Sequence, residues 1–365
     1  MRSLVISDLH LGSRTGADVL RRRRRREPLL AAVADCERLV LLGDVIELRH
    51  ARIAEAFTQA EPVLRELGAA LGPDRDVVIV PGNHDHHLAA AWLERRSRQP
   101  HPVPLGPDGA VDWQAPEPLA AVAGWLAPAR VSAAYPGLWL RADVYATHGH
   151  YLDRHTTVPM LERIAAGAMA RLLREPAAGP ALVADYEATL APIYAWVHAV
   201  AQTGAHDLGD HARDPSTRGW RMLTAGDGSP RLRRRALALA FPGVLAALNR
   251  GGIGPLRADL SGAELRRAGL RALSEVLARL DVTAPYVIFG HTHRAGPLAT
   301  DDRREWRTAA GGQLINCGSW LEQPDFLGAE PSRSPYRAGF AVQVDDHGPP
   351  QLVNLLDGVS APVPA

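Results

Sequence analysis

The sequence of 365 residues predicts an α/β fold with a helical segment set into it. Three observations carry this reading. Five short apolar runs, rich in β-branched residues, each end in a cluster of Asp, Asn or His. Helix-like stretches separate the first three runs, and alternating strand and helix is the signature of α/β architecture. From about residue 155 to 283 strand-like runs vanish and helical periodicity takes over.

Residues 4–6 form the first predicted strand and lead into Asp8-Leu9-His10. Residues 39–42 lead into Gly43-Asp44-Val45-Ile46-Glu47, and residues 77–80 into Pro81-Gly82-Asn83-His84-Asp85. Residues 144–146 and 287–289 precede Thr147-His148-Gly149-His150 and Gly290-His291-Thr292-His293. Predicted helices lie near 28–35 and 53–71, and the proline-rich residues 98–118 read as a surface loop. Sites in such folds form where strands end and loops begin, so the five clusters are expected to converge. Within the helical segment, Ser261-Gly262-Ala263-Glu264 fits a capping box. Leu273, Val276, Leu277 and Leu280 then follow helical spacing. Two more stripes run through Leu161, Ile164, Ala168 and Leu172, and through Leu182, Tyr186, Leu190, Ile193, Val197 and Val200, with a kink expected at Pro192.

Composition narrows the function. The formal net charge is +1, which gives the whole molecule no strong field for nucleic acid or anionic membrane. Cys36 and Cys317 cannot make a disulfide framework and suit a reducing compartment. No apolar run reaches membrane-spanning length, and the first strand is too short for a secretory leader, so a cytoplasmic location is expected. All 41 basic side chains are arginine, six of them consecutive at residues 21–26. That run leaves the Asp8-Leu9-His10 strand end, and is expected either to be a solvated helix start or an electropositive rim for a phosphate-rich substrate.

The five clusters offer two carboxylates (Asp8, Asp44), one amide oxygen (Asn83) and four imidazoles (His10, His148, His291, His293). Mixed nitrogen and oxygen donors suit borderline divalent ions, not calcium, and the lack of thiolates argues against structural zinc. Seven ligands exceed one ion and suit two that share a carboxylate. Two close metals activate a water and clamp both oxygens of an in-line displacement, which fits phosphoryl chemistry.

The series D-L-H, G-D-V-I-E, G-N-H-D, H-G-H and G-H-T-H, in this order, resembles the calcineurin-like metallophosphoesterase superfamily over residues 1–154 and 284–320. The resemblance implies a four-layered fold of two mixed β-sheets flanked by helices. It implies one metal on Asp8, His10 and His293, a second on Asn83, His148 and His291, and Asp44 as the bridge. The ions would be a divalent pair, manganese first, with iron, zinc, cobalt or nickel as alternatives. His84 is the implied catalytic imidazole, assisting the leaving oxygen while a metal-bridging hydroxide attacks phosphorus. Glu47 is the implied carboxylate that orients it, with Asp85 as the rival. Arg294 is a candidate phosphate contact and His150 a candidate substrate contact, while His86, His87 and His155 read as supporting or surface residues. Asn316-Cys317-Gly318-Ser319-Trp320 resembles a turn that often follows G-H-T-H, and is read as structural.

The expected organisation is a catalytic domain of residues 1–154 and 284–365 with a helical cap insertion of residues 155–283. Both ends of the cap leave from near the site. The expected substrate is a phosphodiester, pyrophosphate or phosphomonoester, on a phosphorylated small molecule. Two alternatives stand beside this. One is a lipid-linked nucleotide pyrophosphatase with peripheral membrane contact through the cap, where residues 231–248 combine arginines with leucines as interfacial helices do. UDP-2,3-diacylglucosamine pyrophosphatases share several of these motifs, although His84 and H-G-H depart from that branch. The other is a non-catalytic protein-interaction scaffold on the same fold. A nuclease is disfavoured by the charge and by the lack of an aromatic platform beside residues 21–26.

Overall fold

Strand β1 (Ser3–Ile6) shows how the core is built. Leu4 and Ile6 point to one face of their sheet and Val5 to the other, and all three are buried. The structure is a computed structural model that describes residues 1–203, 231–259, 261–328 and 330–358; of residues 231–240 only the helical backbone is described. A seven-stranded mixed sheet has the order β11-β10-β1-β2-β3-β5-β4. Its strands are β1, β2 (Arg38–Leu42), β3 (Asp76–Val80), β4 (Gly109–Val111), β5 (Arg130–Tyr135), β10 (Phe340–Val344) and β11 (Gln351–Asn354). Strands β1, β2, β3 and β5 run parallel, while β10 and β4 pair antiparallel with β1 and β5. A four-stranded mixed sheet has the order β6 (Gly137–Arg141), β7 (Val144–Thr147), β8 (Tyr286–Phe289) and β9 (Gln313–Asn316).

The two sheets pack face to face. Val5, Val40, Val78 and Val342 of the larger meet Leu138, Ala146, Ile288 and Ile315 of the smaller. Each fully buried valine or isoleucine contributes roughly 1.5–3 kcal/mol. Helices α1 (Arg23–Ala34), α2 (Ile53–Leu71), α3 (His87–Ser97) and α4 (Pro118–Trp125) cover the outer face of the larger sheet through Leu29, Leu64, Trp92 and Leu119. The outer face of the smaller sheet is covered by the helix Gly262–Arg279, whose Leu270, Leu273 and Leu277 pack on Tyr145, Val287, Phe289 and Leu314. The four layers are thus complete, and the fourth is a helix that the sequence places inside the insertion. Its start is capped as expected, with Ser261 Oγ accepting from the Glu264 amide at 3.2 Å.

Two earlier helices of residues 155–283, α5 (Leu161–Leu172) and α6 (Val183–Gln202), pack on Tyr151 and Val276 through Ala166, Tyr186 and Leu190. The stripe expected on α5 is reversed. Leu161 and Leu172 are exposed, and Arg163, Ala166, Gly167 and Ala170 face inward. Small residues win there because the backbone approaches closely: a Cβ on Gly167 would lie 2.5 Å from the Ile253 carbonyl oxygen. Helix α6 runs unbroken through Pro192. The segment expected as an interfacial helix lies in the helix Arg231–Arg250, where Leu245 is buried; the side chains of residues 231–240 lie outside the described residues. The loop expected at 98–118 contains β4. Among the described residues, no helix is long and apolar enough to cross a membrane.

The arginine run is not a rim of the site. Arg21 pairs with Asp18, Arg22 with Glu322, Arg23 with Glu27 and Arg26 with Glu66. These pairs tie the start of α1 to its surroundings, and none of residues 21–26 lines the main cavity.

Candidate metal centre

All five strands whose ends carry the motifs have a defined register, and the pairing brings those ends together. β1, β2 and β3 are parallel neighbours, so the Asp8, Asp44 and Asn83 loops leave side by side. β7 and β8 are parallel neighbours in the second sheet and deliver His148, His291 and His293. The turns after them are tight. Asp8, His10, Asp44, His291 and His293 have φ of 56°, 45°, 51°, 65° and 57°, which is left-handed backbone. Such conformations are costly for residues other than glycine, persist only where packing enforces them, and cluster at functional sites. The glycines between them make room: a Cβ on Gly43 would lie 2.3 Å from His148, and one on Gly290 2.1 Å from Ser7 Oγ.

Two donor groups result. Asp8, His10 and His293 form the first: His293 Nε2 lies 3.2 Å from Asp8 Oδ1 and 3.2 Å from His10 Nε2. Asp44, His148 and His291 form the second, with Asn83 beside them. His148 Nε2 is 3.2 Å from both Asp44 Oδ2 and Asn83 Oδ1, and His291 Nδ1 is 3.0 Å from Asn83 Oδ1. Asp44 also lies within ligand distance of His10 and His84, so it stands between the groups. All seven sequence-predicted ligands are therefore brought together. Their fit to metal rests on three features. Asp8 Oδ1 is buried and accepts no hydrogen bond. Imidazole nitrogens converge on each other rather than on donors. Gaps of 3.0–3.2 Å are those of neighbouring ligands about an ion with bonds of about 2.1 Å.

The far ring nitrogens are held as metal-binding histidines require, which fixes the free one as ligand. His148 Nδ1 lies 3.0 Å from the Leu42 carbonyl, His10 Nδ1 3.0 Å from Glu47 Oε2, and His291 Nε2 2.9 Å from Asp153 Oδ1. Asp153 has no motif around it, and its role is visible only in three dimensions. Glu47 holds a second ring, His84, with Nδ1 at 2.9 Å from Oε2. His50, also unmarked by sequence, packs edge-on against His84. Burial opposes the charge on Asp44 and Glu47, yet the histidines around them hold both carboxyls well below the usual range.

Three expected roles take a different form. Asp85 does not face His84: its carboxylate accepts from the amides of Gly82, Asp44, Val45 and Ile46, at 2.6 to 3.3 Å, and so shapes the loop that presents Asp44. Burial and the neighbouring Asp44 push its carboxyl up to about 6. His150 is neither solvated nor at the cavity. It is buried, with Nε2 3.1 Å from the Tyr135 hydroxyl, in a network that includes Glu187 of α6, Tyr151 and His86. Burial, with His148 and His291 nearby, keeps it neutral. Arg294 lines the cavity, but its guanidinium is held by Asp301 at 2.6 and 3.0 Å and lies over Trp306.

A cavity of about 400 Å³ opens onto this centre. Asp44, Asn83, His84, His291 and His293 form its floor, and Val158, Met160, Leu265, Phe289, Trp306 and Phe326 are among its walls. Its arginines are matched to carboxylates: Arg49 to Glu162, Arg266 to Glu305 and Arg294 to Asp301.

Fold and site together define a two-sheet α/β protein with two adjoining candidate metal-ligand groups at its strand ends. Residues 1–214 match the calcineurin-like phosphoesterase family, and the chain belongs to it. Among solved structures, a nuclease of Pseudomonas putida, MPE, is similar at 20% identity over 40% of this chain and 53% of its own, with a TM-score of 0.24. A dimetal phosphatase from Danio rerio is similar at 14% identity over 97% of this chain and 99% of its own, with a TM-score of 0.28. The chain thus spans about half the length of the nuclease. No curated protein matches it.

Proposed function

We propose that the protein hydrolyses a phosphodiester, pyrophosphate or phosphomonoester at a dinuclear centre held by Asp8, His10, His293, Asn83, His148 and His291, with Asp44 shared. The observation that carries this is the meeting of two donor groups at Asp44. When bound, two divalent ions would neutralise phosphoryl charge and activate a water; manganese heads the candidates for such a mixed N/O set. The chain's own residues do the rest. His84 lines the cavity with Nδ1 fixed by Glu47, which leaves Nε2 to assist the leaving oxygen; burial lowers its pKa, while Glu47 and Asp44 favour the protonated, donating form. Glu47 is a positioning residue for both His10 and His84. Asp85 and Asp153 hold the Asp44 loop and the His291 ring. The test is metal analysis followed by assay of reconstituted protein on bis(p-nitrophenyl) phosphate and p-nitrophenyl phosphate. Two ions per chain and turnover of at least one are expected; turnover of neither refutes the reading.

The cavity supports a narrower statement about the substrate. Its arginines are already neutralised and its walls are largely apolar, which favours one phosphoryl group with an apolar substituent over a polyanion such as nucleic acid. A lipid-linked phosphate is the extreme of this class, and exposed Leu161, Leu172 and Leu182 on the cap are in keeping with contact at a membrane surface. Buried free cysteines are in keeping with a cytoplasmic setting. Replacing an aryl or alkyl substituent by a glyceryl one is expected to raise KM at least tenfold; equal KM values refute the apolar subsite.

A further inference from the structure

A second concave site lies on the back of the wall that bounds the catalytic cavity. The wall is made of residues 152–158 and the helix Gly262–Arg279, and its residues alternate between the two sides. Leu152, Asp153, Leu265 and Leu270 line the cavity above the candidate metal centre, whereas Arg154, Thr157, Ala268 and Arg271 line a separate pocket of about 300 Å³. Arg163 from α5 completes that pocket.

The charges there do not balance. Arg154 is held by Glu175 at 2.6 Å and Arg271 by Glu264 at 2.5 Å, and the pocket's one carboxylate, Glu275, is held by Arg279 at 2.7 Å. Arg163 is 1% exposed, yet no carboxylate among the described residues lies within ion-pair distance of it. Its Nε and Nη2 donate to the carbonyls of Thr156 and Gly254, each at 2.8 Å, while Nη1 has no partner. The hydroxyl of Thr157 is likewise buried and unpartnered. Buried cations are normally paired and buried donors normally bonded, so two orphaned donors in one pocket call for an acceptor. The field has the matching sign. Burial and the guanidinium groups of Arg279, Arg154 and Arg163 push the His155 imidazole down to about 3. Burial likewise lowers the Arg163 guanidinium to about 10. Gly167 leaves the space the guanidinium needs: a Cβ there would lie 2.8 Å from Nη1.

We propose that this pocket binds a phosphate-type oxyanion, held by Arg163 Nη1 and the Thr157 hydroxyl within the field of Arg154 and Arg271. A tetrahedral oxyanion presents several acceptors to the donors lining one pocket, and guanidinium is the side chain best matched to it. The site is separate from the metal centre and needs no metal.

Calorimetric titration of the full chain after chelation of its metals tests this, with inorganic phosphate as probe and chloride at matched ionic strength as control. One phosphate per chain is expected, with chloride silent. Thr157→Val is expected to weaken binding about fivefold and Arg163→Met at least tenfold, since charge-assisted bonds are the stronger ones. Asp44→Asn is expected to leave it unchanged, which separates this site from the catalytic one. A parallel titration with glycerol 3-phosphate tells a free phosphate from one carried on a larger molecule, and binding of either supports the site. No saturable binding to the wild type overturns the proposal. So does undiminished binding in Thr157→Val, which keeps the test decisive if Arg163→Met does not fold, and so does loss of binding in Asp44→Asn.

Discussion

Replacing Glu47 by Gln changes one atom and tests the centre at two points. The carboxylate is buried and accepts from His10 Nδ1 at 3.0 Å and His84 Nδ1 at 2.9 Å through Oε2. Its Oε1 accepts from the amides of Arg49 and His50 at 3.1 and 3.0 Å. Glutamine cannot satisfy this arrangement. If its oxygen keeps the backbone amides, its NH₂ faces two imidazoles that must then carry their protons on Nε2. His10 would lose the lone pair it offers at the first metal position. If the amide flips, NH₂ faces two N–H groups. Hydrogen bonds to charged groups contribute about 1.5–3 kcal/mol each, and loss of a carboxylate behind a ligating histidine costs about 10–100-fold in metal affinity. The expected result of Glu47→Gln is that fall in affinity for one of two ions. At saturating metal a further fall in kcat of about 10–100-fold is expected, because His84 is no longer oriented. Metal titration read by calorimetry and by activity separates the two effects. A variant with wild-type metal affinity and wild-type kcat refutes the argument.

Asp44→Asn is expected to lower activity by more than about 10³-fold and to lose metal at both positions, since the shared carboxylate supplies each group; metal analysis after gel filtration checks this. His84→Ala is expected to retain two ions per chain while kcat falls about 10²–10⁴-fold, the range of general acid catalysis; loss of metal with rate would contradict its role. His155 gives a pH effect on stability. Its folded-state value of about 3 lies below the ordinary 6.5, so the unfolded chain binds the extra proton and stability falls as pH drops below 6.5. Between pH 6.5 and 4.5 this amounts to about 2 kcal/mol. In phosphate-free buffer, His155→Gln is expected to flatten the urea-midpoint profile over that range, and identical profiles refute it.

What the sequence made legible was local. Strand ends at Asp8, Asp44, Asn83, His148 and His291 could be read because β-branched runs stop abruptly at polar clusters, and each cluster lies within a few residues of its strand. What escaped was set by long-range packing. Asp153 reaches His291 across 138 residues of chain, with no local pattern to mark it. Asp85 and Glu47 offer His84 the same chemistry in sequence, and only the turn geometry gives one to the backbone and the other to the ring. Arg294 follows the last ligand as a phosphate contact would, but Asp301, seven residues on, takes its charge. The stripe on α5 was misassigned because leucines read as core, whereas close approach favoured Ala166, Gly167 and Ala170. Strands β5 and β4 escaped because alanine, serine and glycine carry little strand signal.

The helix Gly262–Arg279 makes the cap inseparable from the enzyme beneath it. A truncated chain cut at the apparent insertion limits, 155 and 283, would strip the smaller sheet of Leu270, Leu273 and Leu277. Tyr145, Val287, Phe289 and Leu314 would then face water as a contiguous greasy surface, an aggregation liability. Any grafting of a different cap onto this scaffold must therefore rejoin the chain before Ser261. Residues 262–279 thus belong physically with the smaller sheet, and not with the rest of the segment before Ser261.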